Sequence, residues 1–169
     1  MVEDTAPLIL TLALDAATQS WLESMRRAHF PPARNLVPAH VTLFHALPGE
    51  HAATIRAVLA VEAAVLPPSR VRVGPARSLG RGVALEIGVP VVAALRERLA
   101  ERWRPHATVQ NKVAPERAQA LLLALGATLT APQEAQAEAL LLWRYRGGPW
   151  EAVERIPFTA EAYPREVMV

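Results

Sequence analysis

"PAHVTLFHAL" at 38–47 and "RPHATVQNKV" at 104–113 decide how this chain is read. Both place a histidine, one spacer, a threonine and an apolar residue shortly after a proline. His106 follows His40 by 66 residues. In 40–43 the apolar Val41 and Leu43 alternate with His40 and Thr42, the period of two that marks a strand. The same alternation holds for Ala107 and Val109 against His106 and Thr108. Residues i and i+2 of a strand project to one face. Each strand therefore offers one imidazole and one hydroxyl on one side and two apolar groups to a core on the other.

Working outward, the elements before and after each motif recur in the same order. "PLILTLALD" (7–15) reads as a strand, and "AATQSWLESMRRAHF" (16–30) has helical spacing with Trp21, Leu22 and Met25 on one side. The first motif strand follows a proline-rich loop. An alanine-rich helix over 50–66 stops at Pro67-Pro68, and a strand is expected over 70–79. The second half gives a strand at 82–90, a helix at 91–103, the second motif strand at 106–113 and a helix at 115–127. Pro115 stands near that helix's start and Gly126 near its end. A strand at 137–147 leads to the turn "GGPW", and "ERIPF" (154–158) adds a short edge strand. Each half thus reads β-α-β-α-β with His-x-Thr in the middle strand, a weak internal duplication with halves at about 1–80 and 81–169.

Composition narrows the field. The 169 residues fit a single domain, and 51% apolar content supports a packed core. No apolar run reaches the roughly 18 residues of a membrane span. "MVEDTAPLIL" has no basic segment of the kind that opens a secretory signal, so the expected location is the cytoplasm. With no cysteine, disulfides and thiolate metal sites are excluded. The net charge is only +2, and Lys112 is the one lysine among 18 basic residues. No dense basic run suggests a long duplex footprint. A short anionic ligand is compatible.

Two imidazoles and two hydroxyls facing one space suit phosphoryl chemistry. A neutral ring can take a proton from an attacking oxygen while a protonated ring delivers one to a leaving oxygen. Threonine hydroxyls can donate to non-bridging phosphate oxygens. A lone histidine on a half-buried strand is more often a packed residue, but two copies in matched slots weigh the other way. Two imidazoles could also hold zinc, yet a zinc site usually takes a third protein ligand and neither motif brings one. The expectation is therefore no metal and no cofactor.

"HVTL" (40–43) and "HATV" (106–109), separated by a β-α-β-α half-repeat, resemble the paired signatures of the 2H phosphoesterase superfamily. The nearest branch in pattern is the 2′-5′ RNA ligase / RNA 2′,3′-cyclic phosphodiesterase family. "LLLWRYRGGPWEAVERIPF" (140–158) resembles the C-terminal strand and turn of its bacterial members. The resemblance implies an α+β fold of two pseudo-symmetric lobes around a central cleft. Each lobe would be a mainly antiparallel sheet with helices outside. It implies His40 and His106 as the acid–base pair and Thr42 and Thr108 as phosphate ligands. The implied substrates are RNA ends or small nucleotides carrying a 2′,3′-cyclic phosphate or a 2′-5′ linkage, handled by a monomer. The competing expectation is a non-catalytic RNA- or nucleotide-binding module on the same fold.

Strand parity adds further candidates. Phe44 shares parity with His40 and could stack on a base, although a core aromatic is the commoner role. Lys112 shares parity with His106 and could reach a phosphate. His45 is expected to point away from His40, and Trp143 and Tyr145 to pack in the core. Arg144 and Arg146 could draw in nucleic acid.

Overall fold

The computed structural model describes residues 4–90 and 105–161. The described residues form seven strands: β1 (Leu8–Leu14), β2 (Val41–Leu47), β3 (Ser69–Ser78), β4 (Val83–Gly88), β5 (His106–Gln110), β6 (Gln133–Arg144) and β7 (Glu151–Pro157). The described α-helices are α1 (Ala16–His29), α2 (Ala52–Ala64) and α3 (Pro115–Thr128). The helix expected over 91–103 lies outside the described residues. The fold is mixed α+β, and every strand pairing among the described residues is antiparallel.

The pairings close on themselves: β1–β2, β2–β5, β5–β4, β4–β3, β3–β6 and β6–β1, with β7 added beside β6. Exchanging β1, β2 and β3 for β4, β5 and β6 leaves this ring of pairings unchanged. Two of the pairings, β2–β5 and β3–β6, map onto themselves under this exchange. In one, Val41 faces Ala107; in the other, Ser69 faces Ala137 and Val71 faces Ala135. Val41 and Ala107 are 66 apart, and so are Arg70 and Gln136, which face one another between the two pairs of the second; this is the spacing of His40 to His106.

One sheet face is core. Leu10, Leu12, Val41, Val71, Val83, Leu85, Ala107, Val109 and Leu140 are each no more than 2% exposed. They pack with Leu22 and Met25 of α1, Leu59 of α2, and Leu121 and Leu125 of α3. Burying one such leucine contributes about 1.5–3 kcal/mol. Gly82 is required where β4 begins. A Cβ there would lie 2.2 Å from the Gln110 carbonyl oxygen at the end of β5.

Asp15 turns β1 into α1. Its carboxylate accepts the Thr18 amide (2.9 Å), the Thr18 hydroxyl (2.9 Å) and the Gln136 amide of β6 (2.7 Å). Burial alone would raise its pKa, but these donors outweigh it and hold the carboxyl below its ordinary value. The unfolded chain therefore binds the proton more readily. The stabilisation is in place above the usual aspartate range near 4 and is lost as pH falls below it. Asp15→Ala should cost about 1–2 kcal/mol at neutral pH, read as a fall in the urea midpoint. The gap from the parent should narrow as the pH is lowered. An equal gap at pH 7 and pH 3 would refute this assignment.

Candidate active site

The site is built from helix α1 and the strands it crosses. Ala39, just before the first motif, is held at both backbone groups. Its N–H donates to Glu23 Oε1 (2.7 Å), and its carbonyl accepts from Gln19 Nε2 (2.8 Å). Arg26, one turn further along α1, is 2% exposed. It donates Nη1 to the Thr108 carbonyl (2.8 Å), Nε to Asn35 Oδ1 (3.1 Å) and Nη2 to the Val37 carbonyl (3.4 Å). Its guanidinium also stands 4.2 Å above the Phe30 ring. A single buried side chain thus ties the loop entering the first motif to the strand of the second. Burial lowers the Arg26 pKa, partly offset by Glu23.

The Val41–Ala107 bridge fixes how the motifs meet. In an antiparallel pair the neighbours of a bridged position oppose one another. His40 therefore stands against Thr108, and Thr42 against His106. Val41 and Ala107 are buried in the core, whereas the two histidines and two threonines are half-buried. All four polar side chains thus leave the opposite face, in a diagonal arrangement across one seam.

His40 is oriented by its own loop. Its Nδ1 lies 2.6 Å from the Pro38 carbonyl oxygen, which can only accept, so Nδ1 carries the proton and Nε2 presents the lone pair. Burial pushes the His40 pKa down to about 4, against the raising effect of the Pro38 carbonyl. The positive fields of Arg26, His45 and His106 add to the depression. His40 is therefore neutral at physiological pH. The Trp150 ring packs at 4.5 Å from it, and Trp143 lies 6.1 Å from Trp150. Trp143 Nε1 donates to Thr11 Oγ1 (2.8 Å), so its ring lies over the site face and not in the core. A cavity of about 260 Å³ beside His40 is lined by Thr11, Ala13, Gln19, Leu141, Trp143 and Arg155, among others.

The secondary candidates divide. β2 slips register between Thr42, opposite Thr11, and Phe44, opposite Leu10. Leu10 belongs to the core face, so Phe44 follows it. Phe44 lines an apolar groove with Leu47, Ile55, Val58 and Leu59, away from His40. The slip also brings His45 round, and its field reaches His40. Phe44 thus takes the core-packing role and not the base-stacking one that parity allowed, and the β-bulge overturns the expectation that His45 points away from His40. Lys112 is not on the strand: β5 ends at Gln110, and Lys112 is an exposed turn residue with φ of 58°. Parity with His106 therefore does not reach it. Tyr145 lies past the end of β6 and is 42% exposed. Arg144 and Arg146 both engage Asp4, and Arg146 also engages Glu151. Among the described residues no group of three or more His, Asp or Glu side chains is placed to hold a metal ion. No described helix is long and apolar enough to cross a membrane.

The sequence reading did not single out Arg26 or Trp150. Arg26 lies in an Arg-Arg pair that looks like a solvated helix face. Trp150 sits in the "GGPW" turn, whose only signal was its resemblance to a family tail.

The family model described as "2'-5' RNA ligase superfamily" matches residues 14–149, most of the chain and both motifs. This chain belongs to the 2′-5′ RNA ligase superfamily. The fold agrees with that membership. The crystal structure of TT0787 of Thermus thermophilus superposes with a TM-score of 0.62 at 17% identity, covering 92% of this chain and 100% of that one. Escherichia coli LigT complexed with ATP gives 0.59 at 18% identity, covering 93% and 99%. LigT complexed with 3′-AMP gives 0.57 at 18% identity, covering 93% and 100%. No curated protein matches the chain by sequence. In this member of the superfamily the two His-x-Thr strands meet at one seam.

Proposed function

We propose that the protein is a metal-independent phosphodiesterase that opens 2′,3′-cyclic phosphates of RNA or nucleotides, with His40 and His106 as the acid–base pair. The observation that carries this reading is the Val41–Ala107 bridge, which sets His40 against Thr108 and Thr42 against His106 on one sheet face. Superfamily membership and the LigT structures with bound nucleotides support the substrate class.

In this reading His40 is the base. With Nδ1–H committed to the Pro38 carbonyl, Nε2 takes the proton of an attacking water. The oxygen bonds to phosphorus, the bond to the ribose 3′ oxygen breaks, and His106 gives that oxygen a proton, leaving a 2′-phosphate. Thr42 and Thr108 donate to the non-bridging oxygens as charge builds there. Attack by a ribose hydroxyl in place of water would form a 2′-5′ linkage with the same two rings. The matched halves are taken as an internal duplication, each contributing one His/Thr pair.

The test is hydrolysis of a nucleoside 2′,3′-cyclic phosphate in the presence of EDTA, across pH. Turnover should persist in EDTA. The base must be neutral to act, and its pKa is pushed down to about 4. The rising limb of kcat/KM should therefore lie near pH 4, well below the 6.5 or so of an ordinary histidine. Loss of activity in EDTA would sink the metal-independent scheme. A rising limb near 6.5 would remove His40 from the base role.

A further inference from the structure

The two histidines stand beside unlike cavities. The one at His40 is flanked by Leu141 and Trp143, with Trp150 against the imidazole, which suits a flat base. His106 lies opposite Glu86 of β4, and Pro105 just before it helps line a cavity of about 490 Å³. Arg72 and Arg77 of β3 and Glu86 of β4 give that cavity its charge.

Register puts this cavity on the site face. Thr108 stands opposite Ala84, and Ala84 opposite Arg77, so the three form a row across three strands. Neighbouring strands lie about 4.8 Å apart, so Arg77 springs from the sheet two strands from the Thr108 hydroxyl. A flexible arginine can cover that gap toward a ligand spanning both points.

Each arginine makes one loose ion pair, at 3.8 Å, with a glutamate among the described residues. The Arg77 Nε is buried and makes no hydrogen bond there, with Glu86 Oε1 3.8 Å away. Arg72 stands 3.8 Å from Glu134, likewise outside hydrogen-bonding range, with both side chains largely exposed. By contrast, Arg56, Arg146 and Arg155 each donate to a carboxylate. Two guanidiniums with donors to spare in one cavity match an anion, and arginine's fork fits phosphate.

We propose that the Arg72–Arg77 cavity is a second phosphate subsite, binding the 5′-phosphate of the nucleotide whose cyclic phosphate sits between the His/Thr pairs. This rests on the phosphodiesterase reading and narrows its substrate class. The preferred substrate is an RNA 3′ end or a 5′-phosphorylated nucleotide, not a bare nucleoside cyclic phosphate. The base lies toward Trp143 and the 5′ chain runs toward β3, so the unlike cavities set the direction in which the strand lies.

The experiment compares adenosine 2′,3′-cyclic phosphate with and without a 5′-phosphate. The phosphate should lower KM about tenfold, the scale of one charge-assisted hydrogen bond. In Arg77→Gln and Arg72→Gln the KM ratio of the two substrates should fall toward one, and Arg77→Lys should keep part of it. Arg117→Gln, exposed on α3, should leave the ratio intact and serves as the control. Turnover of both substrates with equal KM in the parent would overturn the subsite, as would an undiminished ratio in both glutamine variants. If neither substrate is turned over, the phosphodiesterase reading has failed. The subsite is then judged on binding of adenosine 5′-monophosphate against adenosine, followed by tryptophan fluorescence, and equal affinities would end it.

Discussion

His40→Ala and His106→Ala should each lower kcat/KM on a nucleoside 2′,3′-cyclic phosphate by about 10²–10⁴-fold, the usual contribution of one positioned acid or base. Each ring sits on a strand whose alternate residues are locked in the core, so the lost imidazole has no described neighbour able to take its place. His45 is the nearest test of that statement. It shares the face after the β2 bulge and its field reaches His40, but it does not stand opposite a threonine of β5. The double variant should fall little further than either single one, because the two rings act as a unit. His40→Asn separates catalysis from binding: nucleotide affinity should survive while turnover does not. If either alanine variant keeps most of its rate, the paired mechanism is wrong. A binding module on this fold would then be the better reading.

Arg26→Met should cost about 2–4 kcal/mol and lower Tm by roughly 5–15 °C. The methionine fills much of the space but leaves the Thr108 and Val37 carbonyls and the Asn35 side chain without their donor. An unsatisfied buried acceptor is the expensive half of a broken hydrogen bond, though removing a buried charge recovers some of the loss. Activity should fall more than the folded fraction does, because the same side chain ties the His40 loop to the Thr108 strand. Arg26→Lys restores charge but not the fork, so it should recover little. A Tm within about a degree of the parent would show that the tether carries no weight.

What the sequence made legible, and what it hid, follows from how far a rule of alternation extends. Over three residues it is robust, and His40 with Thr42 and His106 with Thr108 do leave their strands on one face. Two residues further the rule broke at β2, because a bulge exchanged Phe44 for His45. Nothing in "LFHA" marks it, since the bulge is set by the pairing partner in β1. At β5 the rule ended early, because Asn111 and Lys112 form a turn: the Lys112 amide donates to Asn111 Oδ1 at 2.7 Å. Trp143 shares a strand face with Tyr145 in the sequence pattern, which points to core packing. Its indole N–H found Thr11, a partner 132 residues away that no local pattern reveals. The order of the described elements was readable throughout, since each carries its own period and its own stop.

Among the described residues the two His/Thr strands touch through one bridge, Val41 to Ala107, while their outer neighbours are stitched along several residues. The two pairs are therefore held in register by a single bridge rather than by a full ladder, with two enclosed side chains beneath it. Enlarging Ala107, which is wholly enclosed, would wedge the junction and alter the span available to a phosphorus atom without touching any polar group. A change made wholly within the hydrocarbon beneath the junction should thus reach the polar face above it.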